Sequence, residues 1–331
     1  MSLRNISLIG CTIGLLACSC GQKTTTNNTS AEQKYQQVSP VFNSDSAYSF
    51  VDKQVAFGPR VPNSKEHIAC GDYLVAELKR FGANVTEQRM DVKAFDGTVL
   101  HARNIIGSFN PENASRVLLF AHWDTRPFSD QDPDEKNHKS PVQGANDGAS
   151  GVGVLLEVAR SIQTQSPNIG VDIIFFDAED YGTPSFVTDA PEGEWWCLGS
   201  QYWSKNPHIQ DYKARFGILL DMVGAPDATF YKEAISRQYA NDIVEKVWRT
   251  ARDLGYGKYF IDKNGGGITD DHVPVNENRR IPSIDIIHND ENTQSGFGWY
   301  WHTSKDDMNS ISKETLKAVG QTVLEVVYKE K

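Results

Sequence analysis

The sequence predicts an α/β protein: a single domain of three layers, with a mixed, mostly parallel central sheet covered by helices on both faces. Three observations carry this. Apolar runs of strand length at residues 117–121, 171–176, 216–220 and 283–287 are separated by segments of helical period or by polar loops. The runs are apolar throughout, as in strands buried on both faces. No linker rich in Pro, Gly or Ser divides residues 35–331, so this part reads as one unit.

Taken in order, residues 44–56 and 64–81 carry helical periodicity, with Ser or Asp near their starts. The breakers Phe57-Gly58-Pro59-Arg60-Val61-Pro62 separate them. Residues 84–92 and 99–109 predict two strands joined around Phe95-Asp96-Gly97, a hairpin at a sheet edge. The alternation then begins: strand 117–121, helix 151–162, strands 171–176 and 216–220, a long helix over 240–254 and strand 283–287. Residues 312–328 close the chain as an amphipathic helix with Ser312 as its cap. Cys70 falls in the second helical pattern and Cys197 follows two Trp, which leaves a bridge between them open.

The N-terminus reads as an address. Arg4 precedes an apolar run at residues 6–16, too short to cross a hydrocarbon core of about 30 Å as a helix. It fits a signal-peptide core. Leu15-Leu16-Ala17-Cys18 resembles a bacterial lipobox, with residues 1–17 removed and Cys18 acylated; Cys20 is the alternative. Residues 18–34, polar and rich in Thr, Asn and Ser, predict a flexible tether. The expectation is an exported bacterial lipoprotein of the periplasm or cell envelope, held to a membrane only through its lipid, with residues 35–331 as the catalytic domain.

Of 331 residues, 39% are hydrophobic and 23% charged, which excludes a wholly disordered chain and a multi-span membrane protein. Lys and Arg number 33 against 43 Asp and Glu, a net charge of −10 that argues against a nucleic-acid partner. Five Cys are too few for a disulfide scaffold at this length.

Polar residues stand where the strands end. The run at 117–121 leads into His122 and Asp124, that at 171–176 into Asp177, Glu179 and Asp180, and that at 216–220 into Asp221. Residues 283–287 contain Asp285 and lead into His288. In open α/β sheets such ends meet in one crevice. Asp147 precedes a helix and would serve there as a cap or as a further member of the set. Carboxylates with imidazoles suit a divalent metal, zinc above all, held by about three protein ligands with one position open.

His122-Trp123-Asp124, Gly144-Ala145-Asn146-Asp147, Glu179-Asp180, Leu220-Asp221-Met222 and His302-Thr303 occur in the order found in the zinc aminopeptidases of clan MH, which this chain resembles from about residue 44 to its C-terminus. In those enzymes a His, a bridging Asp, a Glu, an Asp and a final His hold two zinc ions; the matching positions are His122, Asp147, Asp180, Asp221 and His302. Asp180 is one methylene shorter than the family Glu.

Other stretches are similar to one branch, the glutaminyl cyclases, which bind one zinc: Trp301-His302-Thr303, Asp221-Met222-Val223-Gly224-Ala225-Pro226, Asp270-Asp271-His272-Val273-Pro274, and a long insertion carrying Trp195-Trp196. The resemblance implies Asp147, Asp180 and His302 as zinc ligands and Glu179 as the acid/base. It implies Asp221 and Asp270 in a hydrogen-bond network with Glu179, and Trp301 with Trp196 as pocket walls. His122 and Asp124 become remnants of a second metal site, in which His122 and Asp221 could still hold a second zinc. Asp285 stands where animal cyclases carry a His, so it is expected to help position substrate or support the acid network. The run Trp299-Tyr300-Trp301 is expected to wall the pocket.

The implied reaction is zinc-dependent cyclisation of the N-terminal glutamine of a peptide or protein to pyroglutamate, with release of ammonia. The alternative is a zinc aminopeptidase that releases N-terminal residues. Gly265-Gly266-Gly267 lacks the context of a phosphate loop and reads as a mobile loop. Asp130, Asp132, Asp134 and Glu135 lack EF-hand spacing and read as a solvated loop. His67 and His101 read as ordinary residues, and Ser200 lacks a nucleophile elbow.

Overall fold

The computed structural model describes residues 35–331. The leader at 1–17, acylation at Cys18 or Cys20 and the tether at 18–34 lie outside the described residues.

Two helices come first, α1 (Ser44–Val55) and α2 (Lys65–Arg80). Asn43 caps α1 by accepting from the Asp45 and Ser46 amides, and Ser64 caps α2 by accepting from the His67 amide. Strands β1 (Asn84–Lys93) and β2 (Val99–Phe109) form the expected hairpin, which turns at Gly97 with φ 85°. Next come β3 (Arg116–His122), α3 (Ala149–Thr164), β4 (Gly170–Phe176), α4 (Leu198–Lys205), β5 (Gly217–Asp221) and β6 (Phe230–Lys232). They are followed by α5 (Ala234–Asp253), β7 (Phe260–Asn264), a single turn α6 (His272–Pro274), β8 (Ser283–Ile287) and α7 (Lys313–Lys329).

The sheet order is β1-β2-β4-β3-β5-β8. The four strands β4, β3, β5 and β8 are parallel, and β1 and β2 add an antiparallel edge. Period-two alternation divides each central strand between two cores. Val117, Leu119 and Ala121 of β3 join α1, α2, α3, α5 and α7 in the larger one, while Leu118 and Phe120 join Trp203 of α4, Val275 and Ile281 in the smaller. This is the three-layer, mostly parallel architecture that the apolar runs predict.

From β3 the chain passes to β4 on one side and then crosses back to β5 on the other. The switch point where open α/β sheets place their sites therefore lies at the carboxyl ends of β3, β4 and β5.

Three elements differ from expectation. The long helix starts at Ala234, capped by Glu233, and its backbone leaves helical geometry at Ala240, where the apolar period begins. The pair β6–β7 and the eight-residue α4 are too short for their periodicity to stand out. Cys70 and Cys197 are buried free thiols, so the bridge left open above is not formed.

Candidate active site

Three strand ends build the site. β3 delivers His122, β5 delivers Asp221, and β4 runs through Asp177 and Ala178 into Glu179 and Asp180. Asp147 lies between β3 and α3, and Gly148 rather than Asp147 occupies the N-cap of that helix, so the cap reading does not apply. A cis peptide bond joins Asp147 to Gly148. His302 arrives from the loop before α7.

Asp147 sits at the centre. Its Oδ1 lies 2.9 Å from His122 Nε2, and its Oδ2 lies 3.8 Å from His302 Nε2. Asp221 Oδ1 completes one group at 3.2 Å from His122 Nε2, and Asp180 Oδ1 completes the other at 3.3 Å from His302 Nε2. Thus His122, Asp147 and Asp221 form one potential ligand set, and Asp147, Asp180 and His302 form a second, all buried.

Tetrahedral zinc with bonds of about 2.0–2.1 Å sets neighbouring ligand atoms about 3.3–3.4 Å apart. The spacings around His302 leave that room. The 2.9 Å ion-pair contact between His122 and Asp147 is tighter than that spacing.

Left-handed backbone recurs around this centre. Ala178, Cys197, Met222 and His302 have φ between 49° and 57°, a region costly for side-chain-bearing residues. At Ala178 the reversal turns the chain directly after β4, so that Glu179 and Asp180 both reach the pocket.

Buried carboxylates hold these loops. Asp124 accepts the Glu179 amide at 3.1 Å and the Asp180 amide at 3.2 Å. It lies also 3.5 Å from His122 Nδ1, so one carboxylate both clamps the acidic turn and stands behind the histidine of the first set. Asp306 accepts the Asn146 and Asp147 amides at 2.7 and 3.0 Å. His67, stacked on Trp123, pairs with Asp177 at 2.9 Å.

Asp130 and Asp132 are buried, against the solvated-loop reading. Asp130 pairs with Arg126 at 2.6 Å and lies 3.5 Å from His302 Nδ1, which orients the ring. Burial alone would raise the Asp130 pKa, but hydrogen bonds from His302 and Arg126 hold it well below the usual range. No sequence signal separates Asp130 from the acids around it. A buried cation partner, Arg126, is what distinguishes it.

Glu179 lines the same cavity as Asp147, Asp180, Asp221 and His302. Burial, followed by repulsion from Asp180, Asp270 and Asp271, pushes its pKa well up against the attraction of His122. The buried Cys197 thiol donates to Glu179 Oε1 at 3.2 Å, and Asp270 brings an oxygen within 4.8 Å of both. The expected network is only partly present, because Asp221 bonds to His122, not to Glu179. Burial first, then Asp147, raises Asp221 to about 6.

A cavity of about 290 Å³ opens onto these groups, lined by Asp147, Glu179, Asp180, Asp221, Asp270 and His302 and walled by Trp196, Phe297 and Trp301. Trp301 stacks on His302 with ring centres 3.8 Å apart, and Trp196 lies parallel to that ring at 6.0 Å.

Two sequence expectations fail here. Trp299 and Tyr300 do not wall the pocket: Trp299 is 62% exposed, and Tyr300 is buried with its hydroxyl 2.6 Å from His288 Nδ1. Asp285 does not touch the cavity. It lies two residues, about 6.6 Å, back along β8 from Ile287, which does line it. Its fully buried carboxyl accepts no hydrogen bond and is raised by burial and then by Asp270. His288, one residue past Ile287, faces the other way.

The six-stranded, mostly parallel sheet flanked by helices, with a carboxylate between two histidines at its switch point, is a zinc aminopeptidase-like fold. Residues 104–327 match peptidase family M28, and the chain belongs to that family.

It is similar to a Zn-dependent exopeptidase from Parabacteroides distasonis, at TM-score 0.87 and 63% identity over 88% of this chain and 100% of that one. It is similar also to Bacteroides thetaiotaomicron glutaminyl cyclase bound to N-acetylhistamine, at TM-score 0.87 and 61% identity over 89% of this chain and 100% of that one. Aminopeptidase YwaD of Bacillus subtilis is 30% identical over 284 residues; the match covers 82% of this chain and 54% of that relative's length.

Proposed function

We propose that the protein is a glutaminyl-peptide cyclotransferase that closes the N-terminal glutamine of peptides or proteins to pyroglutamate, using one zinc held by Asp147, Asp180 and His302. The observation that carries this reading is the small cavity walled by Trp196 and Trp301, both stacked against His302, with the raised acid Glu179 in its lining. The likeness to the Bacteroides glutaminyl cyclase supports it.

Zinc, when bound, supplies Lewis-acid polarisation of the γ-carbonyl. The chain's own residues do the rest. The indoles of Trp196 and Trp301 hold the glutamine side chain and keep water from competing as nucleophile. The α-amine attacks the γ-carbon of its own residue, so positioning replaces a second substrate. Glu179 takes one proton from that amine and returns it to the departing nitrogen. The new C–N bond closes the ring, the old one breaks, and ammonia leaves.

Aminopeptidase activity is the second reading, favoured by the retention of His122 and Asp221 beside Asp147. The test incubates the protein with a Gln-initiated peptide and an aminoacyl amide side by side. Ammonia without shortening of the peptide supports the cyclase, and release of a free amino acid supports the peptidase.

We further propose export and acylation at Cys18. Cys18→Ser should abolish metabolic labelling by palmitate and release the protein from the membrane fraction; unchanged labelling would move the anchor to Cys20 or remove it.

A further inference from the structure

A second cavity, of about 510 Å³, adjoins the reaction cavity, and the two share Glu194, Trp196 and Thr269. Its apolar floor includes Ile235, Val273 and Pro274. Its rim carries two acids, Glu194 and Glu277, against one base, Lys205. Gln201 donates its side-chain amide to the carbonyls of Glu194 at 3.1 Å and Trp196 at 2.8 Å, which ties down the loop that bears Glu194. The Glu194 carboxylate is exposed and forms no ion pair among the described residues.

We propose that this groove receives the second and third residues of the peptide and that Glu194 selects Lys or Arg among them. The inference rests on the cyclase reading. A reaction cavity of about 290 Å³ takes one residue, and the remainder of the substrate must leave past the residues common to both cavities. That exit passes Glu194 before it reaches the apolar floor. A carboxylate without a cation of its own, at the mouth of a cavity lined by further acids, attracts a basic side chain and repels an acidic one. The net charge of −10 acts in the same direction at longer range. An apolar floor below a charged rim suits Lys and Arg, whose aliphatic stems bury while their heads stay wet.

The test measures kcat/KM for ammonia release from Gln-amide, Gln-Arg-Ala-amide, Gln-Ala-Ala-amide and Gln-Glu-Ala-amide at low ionic strength. Each tripeptide is read as a ratio to Gln-amide within one variant, so that a change common to all substrates cancels. Wild type should favour the Arg over the Glu peptide by about fivefold, the size expected of exposed charge pairs, and added salt should narrow the gap. Glu194→Gln should cut that preference to about twofold or less. Ile235→Asp should raise KM for Gln-Ala-Ala-amide relative to Gln-amide while the two kcat values keep their ratio.

If Gln-amide is cyclised but the Arg and Glu peptides share one kcat/KM in wild type, or keep their preference in Glu194→Gln, the groove assignment is overturned and the cyclase reading stands. If Gln-amide is not cyclised at all, both fall together.

Discussion

His122 Nε2 lies 2.9 Å from Asp147 Oδ1, an ion-pair contact to the same carboxylate that faces His302 on its other oxygen. Burial works against a charged imidazole there, but the facing carboxylates of Asp124, Asp147 and Asp221 win and raise the His122 pKa well above the ordinary value.

One zinc per chain is expected, because the 2.9 Å contact at His122 is closer than the ligand spacing of tetrahedral zinc. Metal analysis should return one equivalent, and His122→Ala should retain it with activity reduced by no more than about tenfold. Two equivalents in wild type, with an inactive His122→Ala, would restore the two-metal aminopeptidase site.

The Cys197 thiol donates to Glu179, the residue proposed to carry the proton. Cys197→Ala should lower kcat by about threefold, with zinc content and KM nearly unchanged, because one modest hydrogen bond to Glu179 is lost. Cys197→Ser keeps a donor and should recover most of the rate. Equal rates in wild type, Ala and Ser would reduce Cys197 to packing.

Ala178 stands in the left-handed region with φ 53°, a place that favours glycine. Ala178→Gly relieves strain of about 1 kcal/mol, offset in part by the freedom glycine gains in the unfolded chain. The melting temperature should hold or rise by about 2 °C. A fall of several degrees would mean that the methyl group, fully buried against Met90, Leu100 and Leu198, packs more tightly than the backbone is strained.

The pH dependence of the metal-free protein follows from its buried acids. Asp271 and Asp306 are each raised to about 7, mainly by burial, and Asp221 to about 6. Unfolded, such groups titrate near 4. Between about pH 4 and 7 the folded state thus holds more protons than the unfolded one, so stability is highest at the acid end and is lost as pH rises. Thermal melts of metal-free protein should fall from pH 5 to pH 8, and Asp271→Asn should flatten the slope. A melting temperature that rises over this range would contradict the assigned directions.

The sequence made His122, Asp180 and Asp221 legible because apolar strands end abruptly at polar residues, and a parallel sheet turns such ends toward one crevice. His302 came through resemblance alone, since no strand leads to it, and Trp301 through resemblance and the aromatic run 299–301, which could not tell which of its three rings faces the pocket. The clamps Asp124, Asp130 and Asp306 were illegible in those roles. Each is a short acid in an irregular loop, and its function depends on which backbone amides or cations fold against it. Asp285 was misread for a related reason. A strand pattern tells which face a residue is on, but not that it stops one pleat short of the cavity.

The central claim is that Glu179 carries a proton from the α-amine to the leaving ammonia beside a zinc it does not bind. Ammonia release from a Gln-initiated peptide by wild type and Glu179→Gln, at matched zinc content, tests this most directly. The amide is nearly isosteric but cannot carry the proton, and the account predicts full zinc with a rate at least about a hundredfold lower. A mutant that kept more than about a tenth of the wild-type rate, or that lost its zinc, would contradict it.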